Sequence, residues 1–298
     1  MLDIYQQDTL LQMFMDVDDF CNVYEAYSKR DKIEGEPHRR RGPQPELCLS
    51  EIATLLIFYQ CSGYKCFKYY YKECVIKELT PFFPSVPSYQ RFVELIPKAA
   101  QVLYLFCHYR CSQGQRTGIY FADSKKLPVC ENQRIHSNKV FKNVAQRGKS
   151  STGWFYGLKL HLIINNLGEI INFAFSPANA TDNNKRVLDF LLGDLHGKCF
   201  ADKGYISKFF EHFFEQGIQL ITKIRKNMKN KLMQLHDKYW LRKRAVIESV
   251  NDLLMSVFDI DHTRHRNPWN AIIHALAGLC AYSYYPKKPS VFIPFEIQ

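Results

Sequence analysis

Apolar side chains recur every three to four residues along the first third of the chain, and the period shortens toward two from about Gly118 onward. Leu10, Phe14, Val17, Cys21 and Tyr24 fall on one helical face. Residues 28–46 hold three prolines and two glycines without an apolar period, which predicts a linker or surface loop. Ser50 is placed to cap a helix carrying Ile52, Leu55, Leu56 and Tyr59. Ser62-Gly63 then signals a turn, and Phe67, Tyr71 and Leu79 suit a second helix, so residues 50–77 form a possible helix-turn-helix. After a proline-rich break at 81–87, residues 89–96 and 98–111 read as helices that stop at Gln113-Gly114.

Beyond that point short strands are predicted at 118–122, 154–164 and 169–176, the last two joined by the turn sequence Asn165-Asn166-Leu167-Gly168. Helices at 180–192 and 208–215 alternate with strands at 198–201 and 218–221. A last helix carries Val246, Ile247, Val250, Leu253, Leu254 and Val257 as an apolar stripe. The order β-β-β-α-β-α-β-α makes residues 114–298 an α/β domain, preceded by an all-α region over 1–113.

Charge sharpens this picture. The 298 residues carry 40 lysines and arginines against 29 acids, a net +11 that favours a polyanionic partner. Lys65, Lys68 and Lys72, interleaved with Tyr64, Tyr69 and Tyr70, suit phosphate and groove contacts from the second helix of the pair. Lys223, Arg225, Lys226, Lys229 and Lys231 form an acid-free run, and Lys238, Arg242, Lys243 and Arg244 add four charges around Tyr239 and Trp240. Such a segment tracks phosphates and offers an aromatic for an unpaired base. Lys139, Lys142, Arg147 and Lys149 extend the track from the loop expected after the first strand. The first eight residues have acids where a secretory signal needs lysine or arginine, and no apolar run approaches the ~18 residues of a membrane span. Ten dispersed cysteines without a C-x-x-C pair fit reduced thiols in a cytoplasm and argue against structural zinc.

The candidate chemistry is carboxylate. Phe121-Ala122-Asp123 and Phe200-Ala201-Asp202 are both apolar strands whose first polar residue is an aspartate. If the strands are parallel neighbours, their carboxylates meet at the carboxyl edge of the sheet, where ligands of open α/β sheets gather. Paired carboxylates repel unless a cation neutralises them, and an all-oxygen donor set selects Mg²⁺, with Mn²⁺ as a substitute. Glu248, opposite the apolar stripe of its helix and one turn after Arg244, is the third acid. His161 reads as structural, and Asp182, in Asn179-Ala180-Thr181-Asp182, as part of a helix cap.

Asp123, Asp202 and Glu248, in that element order, resemble the Asp-Asp-Glu triad of ribonuclease-H-like insertion-sequence transposases. The strings F-A-D-S at 121, F-Y-G-L-K-L-H at 155, F-A-D-K-G-Y at 200, L-I-T-K-I-R-K-N at 220 and R-A-V-I-E at 244 strengthen the likeness. The whole chain most resembles the insertion sequence 982 family of bacterial transposases. The resemblance implies a ribonuclease-H-like catalytic domain and two Mg²⁺ ions, with Asp123 bridging both and Asp202 and Glu248 each holding one. It implies cleavage and joining of the ends of a mobile element, with double-stranded DNA, both terminal inverted repeats and target, as partner. A homodimer on DNA and a cytoplasmic, nucleoid-associated location follow from it. One departure stands: Leu241 and Met255 occupy the positions where the wider superfamily often carries a tyrosine and a lysine around its glutamate, and Arg264 or Arg266 is an alternative source of that lysine's DNA contact. A metal-dependent nuclease on the same fold, or a non-catalytic DNA-binding protein derived from a transposase, is the alternative reading.

Overall fold

The computed structural model describes residues 3–30, 47–150, 153–205, 209–223, 233–261 and 265–292. The chain divides into two compact units. One comprises residues 1–107, 257–260 and 269–284, the other residues 108–256, 261–268 and 285–298. The division near residue 107 lies close to the change of apolar period. The second crossing of the chain is not visible as a change of period and rests on tertiary packing.

The first unit is helical. Helix α1 (Ile4–Arg30) buries Leu10, Val17 and Cys21 of the expected stripe and leaves Phe14 and Tyr24 half-buried, while Met13, outside that stripe, is buried beside them. Helix α2 (Leu49–Cys61) is buried along nearly its whole length, with Ser50, Thr54 and Gln60 the polar exceptions in a mainly apolar helix, as suits a central one. Cys48 and not Ser50 stands at its N-cap, where the Cys48 backbone N–H donates to Glu51 Oε2 at 2.8 Å. Ser50 is buried and donates to Asp18 on α1 at 2.6 Å. The second helix of the expected pair is short: α3 (Phe67–Tyr69) runs into a π-helical segment, Tyr70–Val75. Tyr70 and Tyr71 anchor it through hydrogen bonds to the carbonyls of Leu55 and Pro87, which leaves Lys65, Lys68 and Lys72 exposed. Helix α4 (Tyr89–Leu95) is capped by Ser88, and α5 (Ala100–Ser112) follows. The linker expected at 28–46 lies mostly outside the described residues.

The second unit is built on a six-stranded mixed sheet flanked by helices, the expected fold class. Strand β1 (Ile119–Cys130) is twelve residues long and does not stop at Ala122. Its continuation through polar residues 123–126 is held by antiparallel pairing with β3, a tertiary ladder that overrides the local loss of alternation. Strand β2 (Gln146–Ser150) lies where the sequence suggests loop, β3 (Gly153–Asn165) is its antiparallel partner, and β4 (Ile170–Pro177) continues along the same edge of β3. Helix α6 (Lys185–Leu192) starts five residues later than expected and is capped by Asn184, whose Oδ1 accepts from the Arg186 N–H. Strand β5 (Gly197–Ala201), helix α7 (Phe210–Glu215) and strand β6 (Ile218–Thr222) complete the alternation. The strand order is β2-β3-β1-β5-β6, with β5 parallel to both β1 and β6.

The period of two along β1 sorts its side chains between faces. Tyr120 and Ala122 join Leu188, Leu191 and Leu192 of α6 and Phe213 of α7 in one core. Phe121, on the opposite face, packs against Phe200 and Trp240 at ring distances of 6.0 and 6.1 Å. Trp240 belongs to α8 (Leu235–Lys243), which is tied to β5 by a 2.7 Å ion pair between Asp237 and Lys198. Helix α9 (Ala245–Ser256) follows after a one-residue break at Arg244.

Helix α10 (Pro268–Ser283) clusters with the helical unit, although its place in sequence suggests the α/β domain. Its Gly278 passes so close to Ile260 that a Cβ would sit 2.2 Å from that side chain. His274 of the same helix meets the Asp259 carbonyl and Gln60 of α2 at 2.9 and 3.0 Å. Among the described residues no helix is long and apolar enough to cross a membrane.

Candidate active site

Asp123 and Asp202 each follow one residue after a paired position, Ala122 opposite Ala201, on the parallel strands β1 and β5. Adjacent strands lie about 4.8 Å apart, so the two aspartates stand side by side where the β1–β5 pairing ends, Asp123 within β1 and Asp202 just past β5. Because Ala122 faces α6, Asp123 faces the other way, toward α9. There Asn251 Nδ2 donates to Asp123 Oδ2 at 2.9 Å. Arg244 stands 4.0 Å from Asp123 Oδ1 and donates to Glu248 Oε1 at 2.8 Å. It thereby links the first and third acids of the expected triad. The guanidinium is only 13% exposed while Glu248 is 57% exposed, so Arg244 is drawn inward and Glu248 reaches toward solvent.

Burial raises the pKa of the Asp123 carboxyl to about 6, and the neighbouring Glu248 and Asp182 push the same way. Arg244 and the Ser124 backbone N–H oppose them. A carboxylate so placed is held among acids in a low-dielectric pocket, and positive charge stabilises its ionised form.

Asp182, a helix cap in the sequence reading, has another role. Ser124 Oγ and Lys159 Nζ donate to its Oδ1 at 2.8 and 3.1 Å, and Lys159 also donates to the Ala180 carbonyl. Gly204 presses against it, a Cβ there falling 3.2 Å from Asp182 Oδ2. Tyr205, two residues past the Asp202-Lys203 step, is buried. The Asp123 and Asp182 carboxylates add to the effect of burial in holding its hydroxyl well above the usual phenol range. His161 is buried with Nε2 2.8 Å from Ser176 Oγ, and burial lowers its pKa to about 4. A neutral histidine fixed in the sheet interior fits the structural role read from the sequence.

The basic residues divide. Lys223, Arg242 and Lys243 are exposed, whereas Arg244 is engaged by the acids. Arg225, Lys226, Lys229 and Lys231 lie outside the described residues, as does Arg264. Trp240, suggested by the sequence as a stacking platform, is fully buried and donates from Nε1 to His236 at 3.0 Å, so no base reaches it. Arg147 and Lys149 stand on strand β2 and not in a loop.

Asn251, Ser124, Lys159 and Tyr205 lie around Asp123 and Asp182 without a role in the sequence reading, where Asp182 itself figures only as a helix cap. For Asn251 a signal exists: Arg244, Glu248 and Asn251 recur at i, i+4 and i+7, a polar row along one side of the helix. For Asp182 no local signal exists, since its partners come from β1 and β3.

Hard oxygen donors, a buried carboxylate raised toward neutrality and an Asn251 Oδ1 that is buried without a partner fit a divalent cation chemically. Among the described residues no three acidic, histidine or cysteine side chains stand close enough to grip one ion. Arg244 supplies the countercharge between Asp123 and Glu248 in this arrangement. No curated protein and no solved structure matches the chain. Residues 113–268, a little over half of the chain, match the transposase DDE domain family. The match covers more than half of the chain, and the chain belongs to that family.

Proposed function

We propose that the protein binds the ends of a mobile DNA element and catalyses both strand cleavage and strand transfer, in the manner of the insertion sequence 982 family. The observation that carries this reading is the placement of Asp123 and Asp202 beyond paired residues of β1 and β5, with Glu248 joined to Asp123 through Arg244. Asp123, Asp202 and Glu248 are the residues that would hold Mg²⁺ or Mn²⁺, which when bound neutralises the phosphodiester and activates the attacking oxygen. The chemistry is in-line displacement at phosphorus, by water in cleavage and by a DNA 3′-hydroxyl in joining.

The chain's own side chains prepare the site. Asn251 fixes the rotamer of Asp123 from α9. Arg244 joins Glu248 to Asp123 while the Glu248 side chain stays more than half exposed. Exposed Arg242 and Lys243, with Lys223 and the basic run 225–231, take the phosphates, contacts that position DNA without reading its sequence. Lys65 before α3, Lys68 on it and Lys72 in the π-helical segment after it, all exposed, are the candidates for end recognition. Because two ends must be joined, the working form is a homodimer on DNA, at the bacterial nucleoid in the cytoplasm.

The test is incubation of the full chain with its flanking inverted repeats and Mg²⁺, reading nicked and joined products separately. Asp123→Ala, Asp202→Ala and Glu248→Ala should each abolish both products while DNA affinity stays within a few-fold. A variant that cuts at the wild-type rate removes that residue from the triad. Cutting without joining would favour the nuclease, and binding without either would favour the non-catalytic protein.

A further inference from the structure

The β2–β3 hairpin presents a feature that the triad does not use. Lys149 and Trp154 are directly paired across it, and Arg147 lies on the same face two residues along. Arg147 and Lys149 both stand over the Trp154 ring, 5.1 and 5.7 Å from its centroid. The indole is nevertheless 52% exposed, and its backbone carbonyl is held by Asn132 Nδ2 at 2.8 Å. Tyr156, on the same face and one step inward, is buried with its hydroxyl on the Phe141 carbonyl. The hairpin thus has a fixed base and an open aromatic end. Between residues 131 and 150 there are five lysines and arginines and a single acid, Glu131.

Register locates this end relative to the catalytic edge. Asp123 pairs with Leu162, whereas Cys130, seven residues further along β1, pairs with Tyr156. Trp154 lies eight residues before Leu162 on β3, so at about 3.3 Å per residue the indole stands about 26 Å past Asp123, in the direction in which Asp202 leaves β5. That length is about eight nucleotide steps of a DNA strand at 3.4 Å each.

We propose that Trp154, flanked by Arg147 and Lys149, is a stacking site for an unpaired DNA base on the strand that runs away from the catalytic edge. The inference rests on the transposase reading and deepens it, by assigning a position for single-stranded DNA distinct from the duplex phosphate contacts. An indole accepts any base through its π-face, and the adjacent cations take the flanking phosphates. The fully buried Trp240 does not serve in this role.

Equilibrium binding of the full chain to a blunt duplex and to the same duplex carrying a ten-nucleotide DNA overhang tests the proposal, at one fixed salt concentration. Wild type should prefer the overhang, and Trp154→Ala should lose that preference by about 5- to 100-fold while blunt-duplex affinity stays within twofold. Trp154→Phe should recover most of the preference. Arg147→Ala with Lys149→Ala should lower the salt slope for the overhang probe by about 0.7 for each phosphate no longer neutralised. Equal binding of both probes by wild type, or an unchanged preference in Trp154→Ala, overturns the stacking site and leaves the transposase reading intact. Failure of wild type to bind either probe overturns both. A Trp154-dependent preference that is stronger for an RNA overhang overturns DNA as the occupant.

Discussion

Taken residue by residue, the catalytic edge is a problem of charge confined by burial. Arg244 is the only guanidinium set between Asp123 and Glu248 among the described residues, and its effect depends on how much of Asp123 is ionised. With that carboxyl raised to about 6, Asp123 is mostly neutral at pH 5 and mostly charged at pH 8. Arg244→Met should therefore cost more stability at pH 8 than at pH 5, a difference that urea midpoints at the two pH values measure directly. Equal losses would mean that Arg244 acts by packing alone. His161 gives the second pH prediction. The unfolded chain takes up a proton at about 6.5 and the folded chain only at about 4, so its share of stability is complete above 6.5 and declines as pH falls. The decline reaches about 3 kcal/mol by pH 4, from 1.36 kcal/mol per unit. His161→Gln should lose less stability than wild type between pH 7 and 4. Asp123 acts in the opposite sense, its ionisation cost growing as pH rises from 3.8 toward 6. Being common to both proteins, that effect cancels in the comparison.

Among the elements, β1 and β3 act as the long axis to which both the acids and the hairpin are attached. They leave no room for a side chain at Gly157, where a Cβ would fall 2.0 Å from the Leu127 carbonyl oxygen and 2.9 Å from Pro128 Cα. Both contacts are backbone, so neither strand yields without breaking the ladder. Gly157→Ala should lose about 3 kcal/mol or more, or fail to give soluble protein. Gly63, in the turn after α2, makes the contrast. Its φ is +76° but a Cβ there meets nothing within 4 Å, so Gly63→Ala should cost only about 1 kcal/mol of backbone strain. Thermal or urea unfolding of the two variants separates steric clash from conformational preference. Similar losses would show that the β1–β3 spacing relaxes.

Over the molecule as a whole, the two compact units share the chain in an interleaved way, and this alters what a truncation does. A fragment of residues 114–298 keeps α10 but removes α2, with which α10 shares the Gln60–His274 contact. Ile273, Leu276, Leu279 and Tyr282, all buried in the intact chain, would then be uncovered. Apolar surface of that extent drives self-association. The fragment should elute from gel filtration as a broad aggregate, and deletion of residues 269–298 is no remedy, because Val291 donates its N–H to the Asn166 carbonyl in the α/β unit. A monodisperse 114–298 fragment with α10 amides still protected from exchange would contradict the interleaved division.

Features that depend only on neighbours along the chain were legible in the sequence. Three- to four-residue spacing is a property of one helix, and it placed the buried stripe of α1. Alternation is a property of one strand, and with the Asn165 to Gly168 turn it located β3 and β4. The repeated Phe-Ala-Asp pattern put an aspartate just past two apolar strands, and the Ala122–Ala201 pairing turned that local likeness into adjacency. The remaining features depend on partners far away in sequence, which only the folded chain brings together. Residues 123–130 and 146–150 are strands because β3 supplies their hydrogen bonds, which no local period encodes. Arg244 is an acid-bridging residue and Trp240 a core residue because α8 and α9 lie across the sheet face that carries Phe121 and Asp123. Asp182 leaves the cap of α6 to Asn184 because Ser124 and Lys159 reach it from two other strands. Helix α10 belongs with α2 because its mainly apolar stretch from Ile273 to Tyr282 needs cover on every side, and its own stretch of sequence does not say which helices provide it.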